Sequence, residues 1–384
     1  MKCRLLMTAI LQSRFVGGTE RSFLHLLEGI PGDEYEVAVG LDETMLTSEF
    51  ALAVHALGQR VIPFCDVVSK RDFGGMYRTI GQIHSFQPDL VHVHLNHPAA
   101  NPFLVFAAKA AGVRRIVLTE QLNILLDQTR FGRWRIRLYC RLANTVVAVS
   151  QAVRDGLVGH YGVAGANVIV IENAVDARRI AESVRTIDRQ ALRESLGLDP
   201  DAYVLGCAAA MRWQKGQRFL IDAMPQVLAA IPNARLVLIG DGEGRQALET
   251  RIQELGLEDT VQILGWRTDA TNLLAALDAF VLPSLYEGLP LAVLEAMAAR
   301  LPVIATRVDG TGEAVHHRTT GILVAPQDPS ALADAMIEVA TNRSLARLIA
   351  ASAQQHVLAR YDISVMQQRY LALYDLLYSR LQQR

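Results

Sequence analysis

Several features are scarce in this sequence of 384 residues, and each absence excludes a class of protein. Neither sign of charge dominates, because 38 lysines and arginines oppose 39 aspartates and glutamates, so bulk charge gives no support for nucleic-acid binding. No apolar run reaches the roughly 18 residues that a membrane-spanning helix needs. The four cysteines (Cys3, Cys65, Cys140, Cys207) form no C-x-x-C pair, which argues against a zinc ribbon or a disulfide framework. We therefore expect a cytoplasmic protein that recognises its partners at local sites.

Short apolar runs alternate with longer amphipathic ones along the chain, a pattern typical of parallel strands covered by helices. The first apolar run follows Met1 to Arg4 without the small-residue cleavage site of a signal peptide, so we interpret it as a buried strand. The predicted strands cover residues 5–10, 35–39, 60–63, 90–94, 115–119, 145–149, 168–171, 204–208, 235–239, 261–264, 279–282, 303–305 and 321–324.

The chain is longer than one ordinary domain of about 150 residues, and a polar stretch near its middle marks a boundary. We predict an α/β protein of two Rossmann-like, doubly wound domains facing a central cleft. The first domain covers residues 1–185 and the second residues 202–362, with a linker over 186–201. Apolar residues at spacings of three and four predict a helix over 363–384 that packs on one domain.

Residues 279–298 carry the most informative pattern, which reads as a strand, a short loop and a helix with Pro290 in its first turn. A helix N-terminus beyond the carboxyl end of a strand offers free backbone N–H groups, so we expect a phosphate at residues 288–291. Glu287 lies in the loop and Glu295 in the helix. Because carboxylates repel a phosphate, each is better suited to accept hydrogen bonds from sugar hydroxyls. Two solvated glutamates are the alternative interpretation.

The two glutamates stand in P-S-x-x-E-G-L-P-L-x-x-x-E-A-M-A, which resembles the E-x7-E motif of retaining glycosyltransferases of the GT-B fold, specifically family four (glycosyl transferases group 1). The resemblance extends over nearly the whole chain and is densest over residues 206–328. It implies that Glu287 contacts the donor sugar and Glu295 the nucleotide ribose. It also implies that the backbone amides of Gly288 and Leu289 stabilise the leaving diphosphate.

A pair of cations follows the strand that opens the second half. Arg212 and Lys215 resemble the Arg and Lys of the family pattern G-R-L-x-x-x-K-G, although only two residues separate them here. Fixed cations stabilise the charge that develops on a leaving diphosphate without any metal. Lys215 with Gly216 is the closer match, and Arg212 reaches the phosphates only if the shortened loop brings it there. An ordinary surface pair is the alternative.

Three further segments of the second half match the family at the donor site. Gly240 and Gly242 follow one predicted strand and Trp266 follows the next, at turns that the family places near the nucleotide. Glycines after strands are also common turn formers. The segment that ends in Glu313 resembles the family's G-G-x-x-E, with Asp309 in place of the first glycine.

In the first half, Gly17 and Gly18 follow the first strand and its loop. Paired glycines let a backbone approach a phosphate closely, as the family implies here, but they also suit a plain turn. His92 and His94 point to the same face of a strand, and His94, nearer its carboxyl end, is the better ligand contact, with His97 next. Clustered histidines can bind zinc, but no Cys, Asp or Glu with ligand spacing accompanies them.

Gln121 stands where the family often has the histidine of T-x-H-D, a residue that commonly approaches the donor sugar. A glutamine keeps the capacity to form hydrogen bonds but does not titrate. Either Gln121 keeps the sugar contact or His94 supplies it, and the sequence identifies no catalytic base.

Residues 128–141, QTRFGRWRIRLYCR, interleave arginines with apolar and aromatic residues and contain no acid. Such a helix suits the surface of an anionic membrane, where apolar side chains enter the headgroup region and cations meet phosphate. A core helix with solvated arginines is the alternative. The arginines are Arg130, Arg133, Arg135, Arg137 and Arg141.

The resemblance implies a retaining, metal-independent hexosyltransferase with no cofactor beyond its donor, a nucleotide diphosphate sugar. We expect a UDP-sugar first and a GDP-sugar next, and a glycan or lipid-linked glycan acceptor in surface polysaccharide or glycolipid biosynthesis, at the inner face of the membrane. Two alternatives stay open. One is another GT-B activity, such as a nucleotide-sugar epimerase or a phosphorylase. The other is a non-catalytic nucleotide-binding subunit, which Gln121 favours and the presence of Lys215, Glu287 and Glu295 disfavours.

Overall fold

The computed structural model describes residues 2–9, 16–65, 73–96, 103–122 and 129–382. The chain forms two compact units, one of residues 1–174 with 363–384 and the other of residues 175–362. Each contains a parallel sheet flanked by helices, so the predicted α/β class is confirmed. Every strand predicted from the sequence is present in the described part of the chain, although residue 10 lies outside it.

The first unit contains a parallel sheet of seven described strands in the order β3-β2-β1-β4-β5-β6-β7. The order reverses between β1 and β4, and open α/β sheets bind ligands beyond the strand ends at such a point. The strands are β1 (Cys3–Ala9), β2 (Tyr35–Asp42), β3 (Arg60–Phe64), β4 (Leu90–Leu95), β5 (Arg115–Glu120), β6 (Thr145–Ala148) and β7 (Val168–Val170). The helices are α1 (Gly18–Glu28), α2 (Glu49–Ala56), α3 (Phe73–Phe86), α4 (Phe103–Ala110), α5 (Arg130–Leu142) and α6 (Gln151–Asp155), with the short turns Glu43–Met45, Gly156–His160 and Gly165–Asn167.

The second unit has six described parallel strands in the order β10-β9-β8-β11-β12-β13, and its order reverses between β8 and β11. The strands are β8 (Tyr203–Ala208), β9 (Ala234–Ile239), β10 (Val261–Gly265), β11 (Ala279–Leu282), β12 (Val303–Thr306) and β13 (Ile322–Val324). The helices are α7 (Ala177–Thr186), α8 (Arg189–Ser195), α9 (Gln217–Ala230), α10 (Arg245–Glu254), α11 (Ala270–Leu273), α12 (Leu291–Ala298), α13 (Thr311–Ala314), α14 (Pro329–Thr341) and α15 (Arg343–Arg360), with 3-10 turns at Trp213–Lys215 and Leu274–Ala276.

The polar stretch that we predicted as a linker, residues 186–201, contains α8 and lies within the second unit. One of its charged side chains, Arg193, is buried, and its guanidinium donates to the Ala276 carbonyl at 2.9 Å and to Asp278 at 2.8 Å. A buried arginine is tolerated because its donors are satisfied. Arg193 is therefore a paired core group, while the other polar residues of this segment are exposed.

The last helix, α16 (Ile363–Gln382), returns to the first unit. The Tyr374 hydroxyl lies 2.6 Å from Nδ1 of His92, and the Tyr370 hydroxyl lies 2.9 Å from that of Thr119. Through these contacts the helix packs against β4 and β5 of the first unit. Within the described ranges, no helix combines the length and the apolarity needed to cross a membrane.

Candidate active site

The buried carboxylate of Glu287 lies in the loop between β11 and α12, at the reversal point of the second sheet. Only 4% of Glu287 is exposed. Its Oε1 accepts hydrogen bonds from Nζ of Lys215 at 2.6 Å and from the Ser284 hydroxyl at 2.7 Å. The Lys215 side chain is 22% exposed. The two residues singled out by sequence as a sugar ligand and a phosphate ligand thus form a partly buried ion pair.

Backbone contacts fix the turn that carries Lys215 against the Glu287 loop. The amide of Leu285 donates to the Gln214 carbonyl at 2.7 Å, and the Gln214 side chain donates to the Tyr286 carbonyl at 2.9 Å. Gly216 ends the turn with φ of 66°, and a Cβ there would overlap the Pro283 carbonyl oxygen. Only glycine combines this dihedral with so close an approach.

Asp309 holds the Glu287 loop from the other side. Its Oδ2 accepts the Glu287 backbone N–H at 3.2 Å, and its φ is 34°, in the left-handed region. Aspartate tolerates this region better than most residues, which explains how it replaces the family's glycine here. The Thr306 hydroxyl also donates to the Ser284 carbonyl. Asp309, which stands in place of the family's glycine, therefore positions the Glu287 loop.

The N-terminus of α12 offers several backbone donors. Val293 and Leu294 both donate to the Pro290 carbonyl. No residue that the structure describes accepts a hydrogen bond from the four preceding amides, those of Gly288, Leu289, Leu291 and Ala292. Free amides at a helix N-terminus, together with the helix dipole, suit an anion such as a phosphate.

Two further charged residues were predicted at this site, Glu295 and Arg212. Glu295 lies in α12 and is 7% exposed, although the rest of that helix is apolar. Arg212 is exposed at the start of the 3-10 turn. Burial and the charge of Glu287 raise the pKa of the Tyr286 hydroxyl, and the charge of Arg212 opposes this rise. Arg212 is therefore near enough to the Glu287 loop to act on it electrostatically.

The glycines after β9 allow two loops to pack backbone to backbone. Gly240 has φ of 136° and Gly242 has φ of 157°. A Cβ on Gly240 would overlap the Ala209 carbonyl oxygen, and one on Gly242 would overlap that of Met211. The Met211 amide in turn donates to the Asp241 carbonyl at 2.9 Å. These glycines bring the turn after β9 against the segment after β8.

Trp266 and Glu313 lie at other strand ends of the same unit. Trp266 directly follows β10 and is half-buried, after Gly265 with φ of 72°. Glu313 lies half-buried in α13, where its carbonyl accepts a hydrogen bond from the Tyr361 hydroxyl at 3.4 Å. At the start of that segment, Asp309 accepts the Glu287 backbone N–H.

In the first unit, two sequence-predicted side chains have unused hydrogen-bonding capacity. His94 is 1% exposed, its ring centroid lies 4.8 Å from that of Phe23, and burial lowers its pKa to about 3. Gln121 is also buried, and its Oε1 accepts from Asn173 at 2.8 Å. Neither ring nitrogen of His94 nor Nε2 of Gln121 has a partner among the described residues. Both are neutral side chains with buried nitrogens that no described residue contacts through a hydrogen bond.

The remaining predicted residues of the first unit are placed less favourably for a phosphate. Gly17 caps α1, but a Cβ there would overlap a carboxylate oxygen of Glu20, so the chain's own acid fills the space beside it. A Cβ on Gly18 would meet no atom of a described residue within 4 Å. His97 and Gln128 lie outside the described residues.

Three residues of this geometry were not identified from sequence. Ser284 and Asp309 hold Glu287 in place. The only sequence signals for them were the family pattern P-S-x-x-E, which contains Ser284, and the replacement of a family glycine by Asp309. Glu120 is fully buried, accepts from the Tyr139 hydroxyl at 3.0 Å, and has a pKa raised by burial to about 8. No motif marked it. Across the described ranges, no group of three or more His, Cys, Asp or Glu could hold a metal ion.

Comparisons with known proteins match both units. Residues 16–179 match the family model described as Glycosyltransferase Family 4, and residues 202–342 match that of Glycosyl transferases group 1. The lipopolysaccharide core biosynthesis mannosyltransferase LpsB of Rhizobium meliloti is 30% identical over 281 residues, covering 69% of this chain and 76% of the relative.

Two further proteins are similar over nearly the whole chain. The Escherichia coli UDP-Gal:alpha-D-GlcNAc-diphosphoundecaprenol alpha-1,3-galactosyltransferase is 26% identical over 342 residues, 86% of each chain. The structure of Anabaena Alr3699/HepE in complex with UDP-glucose superposes with a TM-score of 0.82 at 25% identity, covering 97% of this chain and 99% of that one. The family and the fold predicted from sequence are confirmed: this chain belongs to glycosyltransferase family four, the glycosyl transferases of group 1, and has the GT-B fold.

Proposed function

We propose that this protein is a retaining hexosyltransferase that moves a sugar from a nucleotide diphosphate sugar to a glycan or lipid-linked glycan, without a metal ion. The observation that carries the proposal is the Lys215–Glu287 ion pair at the reversal point of the second sheet. It lies on the same loop as the free amides that precede and begin α12. A cation, a carboxylate and free amides are the groups that a sugar diphosphate requires.

Glu287 holds the sugar hydroxyls in this proposal. Lys215 and Ser284 both donate to Oε1 of Glu287, and no described residue donates to Oε2. A carboxylate oxygen without a donor suits a hydroxyl group of the donor sugar. Ser284 and Asp309 keep the carboxylate and its loop in place.

Lys215 stabilises the leaving diphosphate. Its ammonium has three N–H donors, and Glu287 uses one of them. The other donors, the amides of Gly288 and Leu289, and Arg212 stabilise negative charge as the bond between sugar and phosphate breaks. The acceptor hydroxyl forms the new bond on the same face of the sugar and gives its proton to a departing phosphate oxygen. The protein then contributes position and charge, and needs no side-chain base.

The remaining residues bind the rest of the donor. Glu295 accepts from the ribose diol, and Trp266 and Glu313 contact the donor nearby. The turn at Gly240 and Gly242 approaches the nucleotide through backbone groups. A UDP-sugar is favoured, since one relative is named for UDP-Gal and one similar structure contains UDP-glucose, and a GDP-sugar comes next.

In the first unit, His94 and Gln121 are proposed substrate contacts. Both lie at the carboxyl end of the sheet, and each has a buried nitrogen without a partner among the described residues. A buried polar group without a hydrogen bond costs about 1–3 kcal/mol, which a bound hydroxyl or phosphate oxygen would relieve. No described residue stands in the way of a close approach to Gly18, whereas Glu20 fills the space beside Gly17.

Sugar transfer tests the proposal directly. Purified protein is incubated with UDP-galactose or UDP-glucose and a GlcNAc-diphosphate-lipid acceptor, with and without EDTA. We expect an acceptor-dependent product with the anomeric configuration of the donor, formed at an unchanged rate in EDTA. An inverted product would refute retention, and a rate restored only by Mg²⁺ or Mn²⁺ would refute metal independence. A donor isomerised without acceptor would support the epimerase alternative.

We also propose that α5 contacts the anionic inner face of a membrane. Its buried side packs Ile136, Tyr139 and Cys140 into the first unit. On the opposite side, Phe131 is 63% and Trp134 is 54% exposed, with ring centroids 5.9 Å apart. Apolar rings exposed together on a helix suit the headgroup region of a bilayer.

The charge on this face supports the same partner. Four arginines of α5 have no carboxylate within ion-pair distance among the described residues. Unpaired guanidinium groups are suited to bidentate contact with lipid phosphate. They are Arg130, Arg133, Arg137 and Arg141, of which all but Arg133 are exposed.

Reversing the exposed charges should release the protein from vesicles. We expect the Arg130→Glu, Arg137→Glu, Arg141→Glu variant to lose about 3 kcal/mol of binding, roughly 100-fold, because each cation contributes about 1 kcal/mol at an anionic surface. Sedimentation with phosphatidylserine vesicles measures the change. A matched control replaces exposed Arg178, Arg343 and Arg347 of the second unit by Glu, with the same change in net charge. Equal sedimentation of both variants would remove α5 from this role.

A further inference from the structure

A second basic site lies at the amino end of β5, at the opposite edge of the first sheet from His94 and Gln121. A cavity of about 350 Å³ opens there. Three of its lining residues are cations and none is an acid. They are Lys109, Arg114 and Arg115, with Val113 and Leu381 as apolar walls.

Backbone carbonyls explain one of these cations, Arg115, which donates to the end of α16, but not Lys109 or Arg114. Cations often gather at the C-terminus of a helix to meet its free carbonyls. The end of α4 is closed by its own chain, because the amides of residues 111, 112 and 113 donate to the carbonyls of residues 107, 109 and 108. Gly112, with φ of 85°, makes this closure possible. Lys109 and Arg114 are therefore not needed to complete α4.

Arg115 forms a fixed wall of the cavity. Its guanidinium donates to the carbonyls of Leu377 and Arg380 in α16, at 3.2 Å each. Burial and the charge of Arg115 lower the pKa of Lys109. No carboxylate of a described residue pairs with Lys109 or Arg114. The like charges therefore face one another with no counter-charge from the described chain.

We propose that this cavity binds a phosphate monoester dianion, carried either by a small dissolved molecule or by a lipid headgroup. A dianion compensates two of the three cations, and the fixed guanidinium of Arg115 offers a preformed partner for phosphate oxygens. The apolar walls Val113 and Leu381 accommodate the carbon skeleton of the ester. The site is independent of the proposed transfer reaction, since none of its residues belongs to that site.

Calorimetric titration of the full chain tests the site with three probes: inorganic phosphate, glycerol 3-phosphate and dihexanoyl phosphatidic acid below its micelle concentration. The variant Lys109→Met, Arg114→Gln removes two charges and keeps the long side chains, while Arg115 stays to hold α16. Arg343→Gln, Arg347→Gln on α15 is the matched control. We expect the first variant to bind at least about tenfold more weakly and the control to bind like the wild type. Arg114→Gln alone, at an exposed position, should weaken binding in the same direction without affecting the fold.

The three probes separate the sources of the phosphate. Binding of phosphate and glycerol 3-phosphate that the double variant weakens supports a dissolved ligand. Binding of dihexanoyl phosphatidic acid alone, again weakened by the variant, supports a lipid headgroup. Absence of binding by all three probes would overturn the proposal. Binding that the double variant leaves unchanged would overturn it as well, because that phosphate would be held elsewhere, for example at α12.

Discussion

Replacing Glu287 by glutamine is expected to lower the turnover of sugar transfer by about 10²–10³-fold, the usual effect of removing one group that stabilises the transition state. Glutamine has nearly the same shape and can still accept the Ser284 hydroxyl through its amide oxygen. It loses the charge that orients the Lys215 ammonium and the second carboxylate oxygen that we assign to a sugar hydroxyl. Initial rates at saturating donor measure the effect.

Two controls separate this effect from a loss of structure. The exposed Glu258 of the same unit, changed to glutamine, should leave the rate unchanged. Adding UDP should raise the melting temperature of Glu287→Gln by as much as it raises that of the wild type, because the ribose contact at Glu295 is intact. A rate within about twofold of the wild type would mean that Glu287 has no part in the reaction.

Replacing Lys215 by methionine should destabilise the protein by about 3 kcal/mol, because it leaves a buried carboxylate without its cation. Glu287 is 4% exposed, so solvent cannot compensate for the lost ammonium. The double variant Lys215→Met, Glu287→Gln removes both charges and should recover most of this loss. Urea unfolding of the two single variants, the double variant and the wild type gives the coupling energy.

The sign of that coupling energy shows whether the ion pair holds the loop. If the double variant is less stable than Lys215→Met alone, the ion pair does not hold the loop. The same set of variants also separates binding from turnover, since Lys215→Met should lower the rate by weakening the stabilisation of the leaving diphosphate. If Lys215→Met keeps the wild-type rate, the leaving diphosphate is stabilised by the backbone amides and Arg212 rather than by Lys215.

Much of the fold could be predicted because strands of a parallel sheet are buried on both faces and appear as continuous apolar runs. β4, L-V-H-V-H-L, was identified in this way although it includes two buried histidines. The segment over 186–201 was interpreted as a linker because it is polar, and its polar residues other than Arg193 are in fact exposed. Arg193 is buried there, with partners contributed by residues 276 and 278 that lie far along the chain.

The sequence predicted which residues form the candidate site, but it did not predict which of them contact one another. The spacing of Glu287 and Glu295 and the position of Lys215 pointed to a sugar diphosphate. The ion pair joins residues 72 positions apart, and sequence spacing carries no information on such a contact. The role of Glu120 was not predictable for a similar reason, because its hydrogen-bond partner Tyr139 lies in α5, 19 positions along the chain.

The central claim is that the second unit binds a nucleotide diphosphate sugar through the groups around Glu287 and Glu295. Thermal unfolding in the presence of UDP, GDP or ADP, for the wild type and for Glu295→Ala, tests it most directly. A diphosphate at one hundred times its dissociation constant adds about 2.7 kcal/mol to the stability of the folded state. We predict stabilisation by one nucleotide, UDP before GDP, that the Glu295→Ala variant loses in large part. Equal behaviour with all three nucleotides, or full stabilisation of the variant, would contradict the account.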